Sequence, residues 1–185
     1  MIIQHNISAI NSYRNLGINQ SALSKNLEKL SSGYKINRAL SEVHSMLQRM
    51  TTLAEQAANG TYNTVARGNI QEEYKALTKE IKRISENADF NGIKPLTTGK
   101  EMTMTFQIGP TSGETITVDK EDIYGKTVTA AMSLKLSVQN DAKNALKTIK
   151  TAIDDVSTYR AKLGAAQNRL EHTVKSLDIM SENIT

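Results

Sequence analysis

The last third of the chain places apolar or small residues at alternating steps of four and three, without a break. These positions are Val138, Ala142, Ala145, Ile149, Ala152, Val156, Tyr159, Leu163, Ala166, Leu170, Thr173, Leu177, Met180 and Ile184. Such stepping is the heptad pattern of helices that pack side by side along one seam. It predicts a single long helix, which at about 1.5 Å per residue extends roughly 70 Å. A molecule built on such a helix is a rod.

Three earlier segments repeat this stepping over shorter distances, and each is a candidate partner for the long helix. Their positions are Ile3, Ile7 and Ile10, followed in a shifted phase by Leu16, Leu23, Leu27, Leu30 and Tyr34; Leu40, Val43, Leu47, Met50, Ala54 and Ala57; and Ile70, Tyr74, Leu77, Ile81, Ile84 and Ala88. The phase shift predicts that the first helix ends or bends near Ser31-Ser32-Gly33. Asn59-Gly60 favours a left-handed stop after the second segment.

Alternation with period two predicts a β-hairpin between the helices. Met102, Met104, Phe106 and Ile108 alternate with polar residues, a Gly- and Pro-containing turn follows, and Ile116 and Val118 alternate again. Asn91-Gly92 predicts a turn before the hairpin. Together the patterns predict a mainly α protein: an elongated rod of long heptad-patterned helices in a coiled-coil bundle, with a small β-hairpin region.

Composition and charge exclude several classes of function. Only 38% of residues are hydrophobic and 4% are aromatic, which suits helices that bury narrow stripes. The chain has no cysteine, which excludes disulfides and thiolate nucleophiles, and His5, His44 and His172 are too isolated to indicate a metal site. Tyr74 and Tyr159 lie in the heptad stripes, so we interpret them as core residues.

The distribution of charges and the absence of known motifs exclude further classes of function. Twenty-three Lys and Arg are interspersed with nineteen Asp and Glu, which is typical of a solvated surface and not of a nucleic-acid site. The sequence contains no stretch of about 18 apolar residues, so it predicts no membrane span. The sequence contains no phosphate-binding loop or nucleophile motif, so we predict neither catalysis nor a cofactor.

Four segments, in order, resemble bacterial flagellins. Residues 30–39 read LSSGYKINRA and resemble the signature near the family's amino terminus, and residues 1–6 are similar to its opening. Residues 47–61, which contain LQRM and QAANGT, are similar to the flagellin helix that precedes an Asn-Gly turn, and the DFNG segment at 89–92 follows in family order. Residues 159–173 resemble the carboxy-terminal signature.

Two departures from the family accompany this resemblance. Flagellins continue from the Ile-Asn-Arg-Ala signature into an acidic, Ala-rich stretch and a further long helix, whereas here Leu40 follows Ala39 directly. The family also continues beyond the segment that resembles 181–185 into a carboxy-terminal helix that pairs with the amino-terminal one. We therefore expect this chain to lack the usual first rod helix and the carboxy-terminal helix, and to polymerise poorly.

The resemblance implies a structural subunit of the bacterial flagellar filament, secreted through the flagellar type III system. It divides the chain into a filament-core helix and export region at 1–39, rod helices at 40–92, a short outer β-hairpin region at 93–126 and a long rod helix at 127–185. Expected partners are other flagellin subunits, an export chaperone and the export apparatus. The expected self-assembly residues are Ile3, Ile7, Ile10, Leu16, Leu23, Leu27 and Leu30.

The resemblance also implies recognition by the host receptor Toll-like receptor 5. The family's contact patch matches Arg49, Leu53 and Glu73, with Gln48 beside them. An exposed Arg flanked by an exposed Leu can anchor an interface, because Arg combines a five-donor fork with an apolar stem. Ordinary helix surface is the alternative interpretation of these residues. For the whole chain, the alternative is a truncated or engineered flagellin that acts as a receptor-binding module instead of a polymerising subunit.

Overall fold

The computed structural model describes the backbone of residues 7–89, 93–97, 103–107, 113–119, 122, 123, 125, 129–132 and 134–184. The side chains that it describes lie between residues 33 and 179. The predicted turn at Asn91-Gly92, the strand positions Met102 and Ile108, and the assembly position Ile3 fall outside the described residues.

Helix α1 (Ile7–Ala58) is one uninterrupted helix of 52 residues. The predicted end or bend near Ser31-Ser32-Gly33 is therefore wrong. A glycine inside a helix costs only about 1 kcal/mol relative to alanine, and no proline interrupts this segment. Packing along α1 outweighs that cost, because its side chains from Ile36 onward form a continuous buried stripe. The predicted position of the stop is confirmed, since α1 ends immediately before Asn59-Gly60, but Gly60 does not adopt the left-handed backbone that the pattern favoured.

The last carbonyl groups of α1 are satisfied by side chains from other helices. Arg67 donates from Nε to the oxygen of Ala57 at 2.9 Å and from Nη2 to the oxygen of Asn59 at 3.0 Å. Gln139 donates from Nε2 to the oxygen of Ala58 at 2.9 Å. The final carbonyls of a helix have no partner within it, so these contacts cap α1 and join three helices at one end of the rod.

Helix α2 (Thr64–Asn87) is capped at its amino terminus by Asn63, whose Oδ1 accepts a hydrogen bond from the Ala66 amide at 2.8 Å. The predicted stripe is confirmed at its central positions, and two polar residues share the buried face; the set is Ile70, Tyr74, Thr78, Ile81, Ile84 and Ser85. Thr78 is buried, whereas the predicted Leu77 is only half-buried, and the Thr78 hydroxyl donates to the Tyr74 carbonyl at 2.7 Å. That hydrogen bond removes most of the penalty of burying the hydroxyl.

Helix α3 (Thr129–Met132) is a single turn, and helix α4 (Gln139–Ile184) has 46 residues, which confirms the predicted long carboxy-terminal helix. The predicted seam is buried from Ala142 to Leu170. Val138, the first predicted seam position, precedes the helix and is 49% exposed. Helices α4 and α1 are antiparallel, because Gly33 lies against Gln167 whereas Ala58 lies against Gln139.

The predicted hairpin is confirmed as β1 (Thr103–Gln107) and β2 (Thr115–Asp119), paired antiparallel. Met104 pairs with Val118 and Phe106 with Ile116, so all four side chains share the buried face. Strand β2 packs against α4. Tyr159 on α4 donates its hydroxyl hydrogen to the Pro95 carbonyl at 3.3 Å, which ties the segment before the hairpin to the rod.

The buried side chains form one continuous cluster along the helices and under the hairpin. Tyr74 and Tyr159 are each 1% exposed, which confirms their interpretation as core residues. Burial raises the pKa of the Tyr74 hydroxyl well above its ordinary value. The protein is thus a mainly α rod with a small two-stranded sheet, as the sequence predicts.

Candidate functional site

The predicted receptor residues lie where α1 and α2 run side by side in opposite directions. Arg49 on α1 donates from Nε to Oε1 of Glu73 on α2 at 2.7 Å. The two side chains are 50% and 45% exposed, so solvent reaches both partners. The hydrogen bond from the guanidinium, and then the charge of Glu73, raise the pKa of Arg49 above its ordinary value. The structure thus brings together two residues that are distant in the sequence.

Gln48 lies beside this ion pair on the exposed face of α1. Its Nε2 is 3.1 Å from Nε2 of His44, one turn earlier in the helix. Gln48, Arg49 and Glu73 together form a polar surface that crosses from α1 to α2, which we call the Arg49 surface.

Leu53 does not belong to the Arg49 surface. The expectation that an exposed leucine flanks Arg49 is wrong, because Leu53 is 1% exposed and belongs to the core cluster. The reason is the position of α1 in the rod: α2 and α4 both pack on it, so its buried face is wider than a two-helix seam. That face includes Leu53 as well as the predicted Met50, Ala54 and Ala57.

A groove of about 540 Å³ borders the Arg49 surface between α1 and α2. Met46 and Leu77 contribute its apolar lining, and Arg38, Glu42 and Arg49 contribute charged groups. Both apolar side chains are half-buried against the core. The Arg49 guanidinium therefore combines solvent access with adjacent apolar surface, which suits a protein contact better than a small-molecule site.

The predicted self-assembly residues Ile7, Ile10, Leu16, Leu23, Leu27 and Leu30 lie on the backbone of α1, and their side chains are outside the described set. The next residue at the same spacing is Tyr34, whose side chain is described and is 55% exposed. Two residues later, Ile36 is 3% exposed. In a continuous helix these two side chains point roughly 200° apart.

Among the described residues, no group of three or more His, Cys, Asp or Glu side chains is placed to hold a metal ion. Within the same ranges, no helix combines the length and the apolar composition that crossing a membrane requires.

Comparisons with known proteins identify the family. The model described as bacterial flagellin N-terminal helical region matches residues 3–41 and 38–100, and the one described as bacterial flagellin C-terminal helical region matches residues 146–185. The chain is 35% identical to flagellin from Halalkalibacterium halodurans, with all of this chain and 82% of that protein covered. It is also 35% identical to flagellin from Bacillus subtilis, with all of this chain and 84% of that protein covered.

A solved structure agrees with the sequence matches. The crystal structure of Bacillus cereus flagellin is similar with a TM-score of 0.75 and 30% identity, covering 83% of this chain and 88% of that one. The chain belongs to the bacterial flagellin family. It is a structural subunit of the bacterial flagellar filament, it assembles with other flagellin subunits, and its relatives are filament proteins and not enzymes.

The amino-terminal match is in two pieces that meet near Ala39 and Leu40. The alignment with the Halalkalibacterium protein extends over 225 positions, against 185 residues in this chain, so it includes gaps opposite residues that this chain does not have. Helix α1 continues through Ala39 and Leu40 without interruption.

Proposed function

We propose that this filament subunit associates with its neighbours through an apolar stripe on the first half of α1, composed of Leu16, Leu23, Leu27, Leu30 and Tyr34. The exposure of Tyr34 is the observation that carries the proposal. The five positions share one helical face by their spacing of three, four and seven residues. The buried face of α1 begins at Ile36, about 200° around the helix from Tyr34, whose side chain is exposed although its hydroxyl donates to Glu171 on α4.

This stripe is suited to repeated contacts between copies. An apolar surface that a subunit's own core does not cover is buried when another copy packs on it, and a contact between two different surfaces can repeat along a filament. The heptad spacing of the stripe also matches the packing of one helix against another.

Sedimentation of the full chain tests the stripe. We expect the sedimentation coefficient of the wild-type chain to rise with concentration, and Leu23→Asp to abolish that rise, because a buried unpaired carboxylate is unfavourable. Thr52→Asp places the same charge on an exposed position of α1 outside the stripe and serves as the control. Self-association that survives Leu23→Asp, or a wild-type chain that remains monomeric at every concentration, would contradict the proposal.

A second function is supported by the Arg49 surface. We infer that Toll-like receptor 5 binds the surface formed by Gln48, Arg49 and Glu73. The support is the resemblance of these residues to the family's contact patch, together with the 2.7 Å contact that joins Arg49 to Glu73 across two helices. Leu53 is left out of the contact set because it is buried.

Light scattering coupled to size exclusion tests receptor binding with the receptor ectodomain. We expect a stoichiometric complex with the wild-type chain and an affinity about 30-fold or more lower for Arg49→Ala, because central arginines of interfaces are frequent hot spots. Arg83→Ala is a matched control: Arg83 is also exposed and also paired with a glutamate, Glu80, on α2. Equal loss in both variants, or no complex with the wild-type chain, would refute this assignment.

Export completes the proposed role. We infer that residues 1–39 carry the information read by the flagellar type III apparatus and its chaperone, and the resemblance of this region to flagellin openings is the support. A fusion of residues 1–39 to a reporter should reach the medium of a bacterium with an intact flagellar export apparatus. Secretion that persists in a strain lacking that apparatus would contradict the inference.

A further inference from the structure

Gly33 and Gln167 make a close contact between α1 and α4. Gln167 is 8% exposed, and its Nε2 has no hydrogen-bond acceptor among the described residues. A Cβ atom added to Gly33 would lie 2.8 Å from that Nε2 and 3.3 Å from Cγ of the same side chain. Glycine accommodates the amide in this position without a shift, whereas a larger residue would have to displace the end of the Gln167 side chain. Burying an unpaired amide is unfavourable, so its presence on an otherwise apolar seam requires an explanation.

Two polar contacts flank this position. The Tyr34 hydroxyl donates to Oε1 of Glu171 at 2.7 Å, and Arg160 donates from Nε to Oδ1 of Asn37 at 3.3 Å. All three contacts join α1 to α4. They lie where α2 ends, because Ile84 and Asn87 of α2 border a groove with Lys35 and Ile36 of α1.

Apolar heptad seams alone do not fix how two helices are aligned. Sliding one helix by seven residues restores much of the same apolar packing, and a buried polar residue can specify one alignment at some cost in stability. Here such a shift would bring Gln167 opposite Asn26 or Leu40 instead of Gly33. Both of those residues have side chains that would occupy the space of the amide.

We propose that the contact between Gly33 and Gln167 sets the register of α1 on α4. The two residues are positioning residues, because they determine which residue of α4 lies opposite each residue of α1. They thereby determine the position of the Leu16 to Tyr34 stripe along the rod. This consequence for the stripe rests on the assembly role proposed above, whereas the register itself is a property of the single chain.

Distances between spin labels test the register directly. The chain has no cysteine, so labels attach only at introduced ones. One pair, Ser24→Cys with Ser176→Cys, reports on the side of the contact away from α2. A second pair, Gln48→Cys with Thr151→Cys, reports on the three-helix side. In the wild-type background we expect one narrow distance distribution for each pair.

Gln167→Leu keeps the seam packed but removes the amide. We expect it to broaden both distributions or shift them by up to about 10.5 Å, the length of seven helical residues, because α1 and α4 are each continuous and slide along their whole length. Gly33→Ala should have the same effect without loss of helix, because alanine favours helix over glycine. Asn168→Leu changes the exposed neighbour of Gln167 and should alter neither distribution.

The outcomes separate this proposal from the assembly role. Unchanged distances for the first pair in both Gln167→Leu and Gly33→Ala would overturn the register proposal, whatever sedimentation shows. A shifted first distance with undiminished self-association would support the register and refute its consequence for the stripe. A shifted first distance in Asn168→Leu would overturn the specific role of Gln167.

Discussion

Leu53→Ala is expected to destabilise the protein by about 2–5 kcal/mol, because Leu53 fills a closed position in the core. Its side chain is 1% exposed and lies on the face of α1 that carries Met50 and Ala57, both 0% exposed. The substitution removes three carbon groups, worth about 0.8 kcal/mol each in transfer free energy. The remaining cost comes from the cavity, which neighbouring helices fill only partly.

Urea unfolding followed by circular dichroism at 222 nm measures this change. The midpoint should fall while the slope of free energy against urea stays constant, since the surface exposed on unfolding is nearly the same. In a thermal scan, a loss of about 3 kcal/mol corresponds to a Tm lower by roughly 6–12 °C for a chain of this size. Val65→Ala is the matched control. Because Val65 is 74% exposed on α2, the unfolding free energy of this variant should differ from that of the wild type by about 0.5 kcal/mol or less.

The same variant also distinguishes a core residue from a receptor contact. Under conditions where Leu53→Ala remains folded, we expect its affinity for the receptor to stay within about threefold of the wild type, since the side chain is not on the surface. An unfolding free energy equal to that of the wild type, combined with lost receptor binding, would refute the placement of Leu53 in the core.

Three further predictions concern the helix ends and the charged surface. Arg67→Ala should lower the unfolding free energy by about 1–3 kcal/mol, because the buried Ala57 carbonyl loses its donor, and Arg67→Lys should restore only part of it in urea unfolding. Asn63→Ala should cost about 0.5–2 kcal/mol through loss of the α2 amino-terminal cap, measured in the same way. The hydrogen bond from Arg83 lowers the pKa of Glu80, so this ion pair stabilises the folded state above the ordinary pKa of 4.5 and ceases to do so as pH falls below that value. In an acid titration followed at 222 nm, Glu80→Gln should lose less helix signal over this range than the wild type.

Heptad spacing was sufficient to predict most of the fold. The buried seam of α4, the central positions of α2 and the buried face of the hairpin are where the apolar pattern places them. What spacing could not provide is the width of a buried face, which depends on how many helices surround it. Leu53 is buried because α1 has two neighbours, and Thr78 can be buried at low cost because a backbone carbonyl in its own helix accepts its hydroxyl hydrogen.

The continuity of α1 could also not be predicted from the sequence. Ser31-Ser32-Gly33 is locally a poor helix segment, and only the packing of α4 shows why the helix continues through it. The pairing of Arg49 with Glu73 follows from the antiparallel arrangement of α1 and α2, which no local pattern fixes. The capping of α1 by Arg67 and Gln139 depends on a convergence of three helices, and no spacing in the sequence signals it.

The antiparallel pairing of α1 with α4 also determines the order in which the protein can fold. The contact between Arg49 and Glu73 closes a loop of 24 residues, whereas that between Tyr34 and Glu171 closes one of 137. The longer loop costs about 1.5 kcal/mol more in chain entropy. The helical hairpin of α1 and α2 is therefore expected to form first. The first half of α1 is stabilised later, when α4 packs on it. Refolding should show an early phase insensitive to substitutions in α4 and a later phase that Ile149→Ala slows.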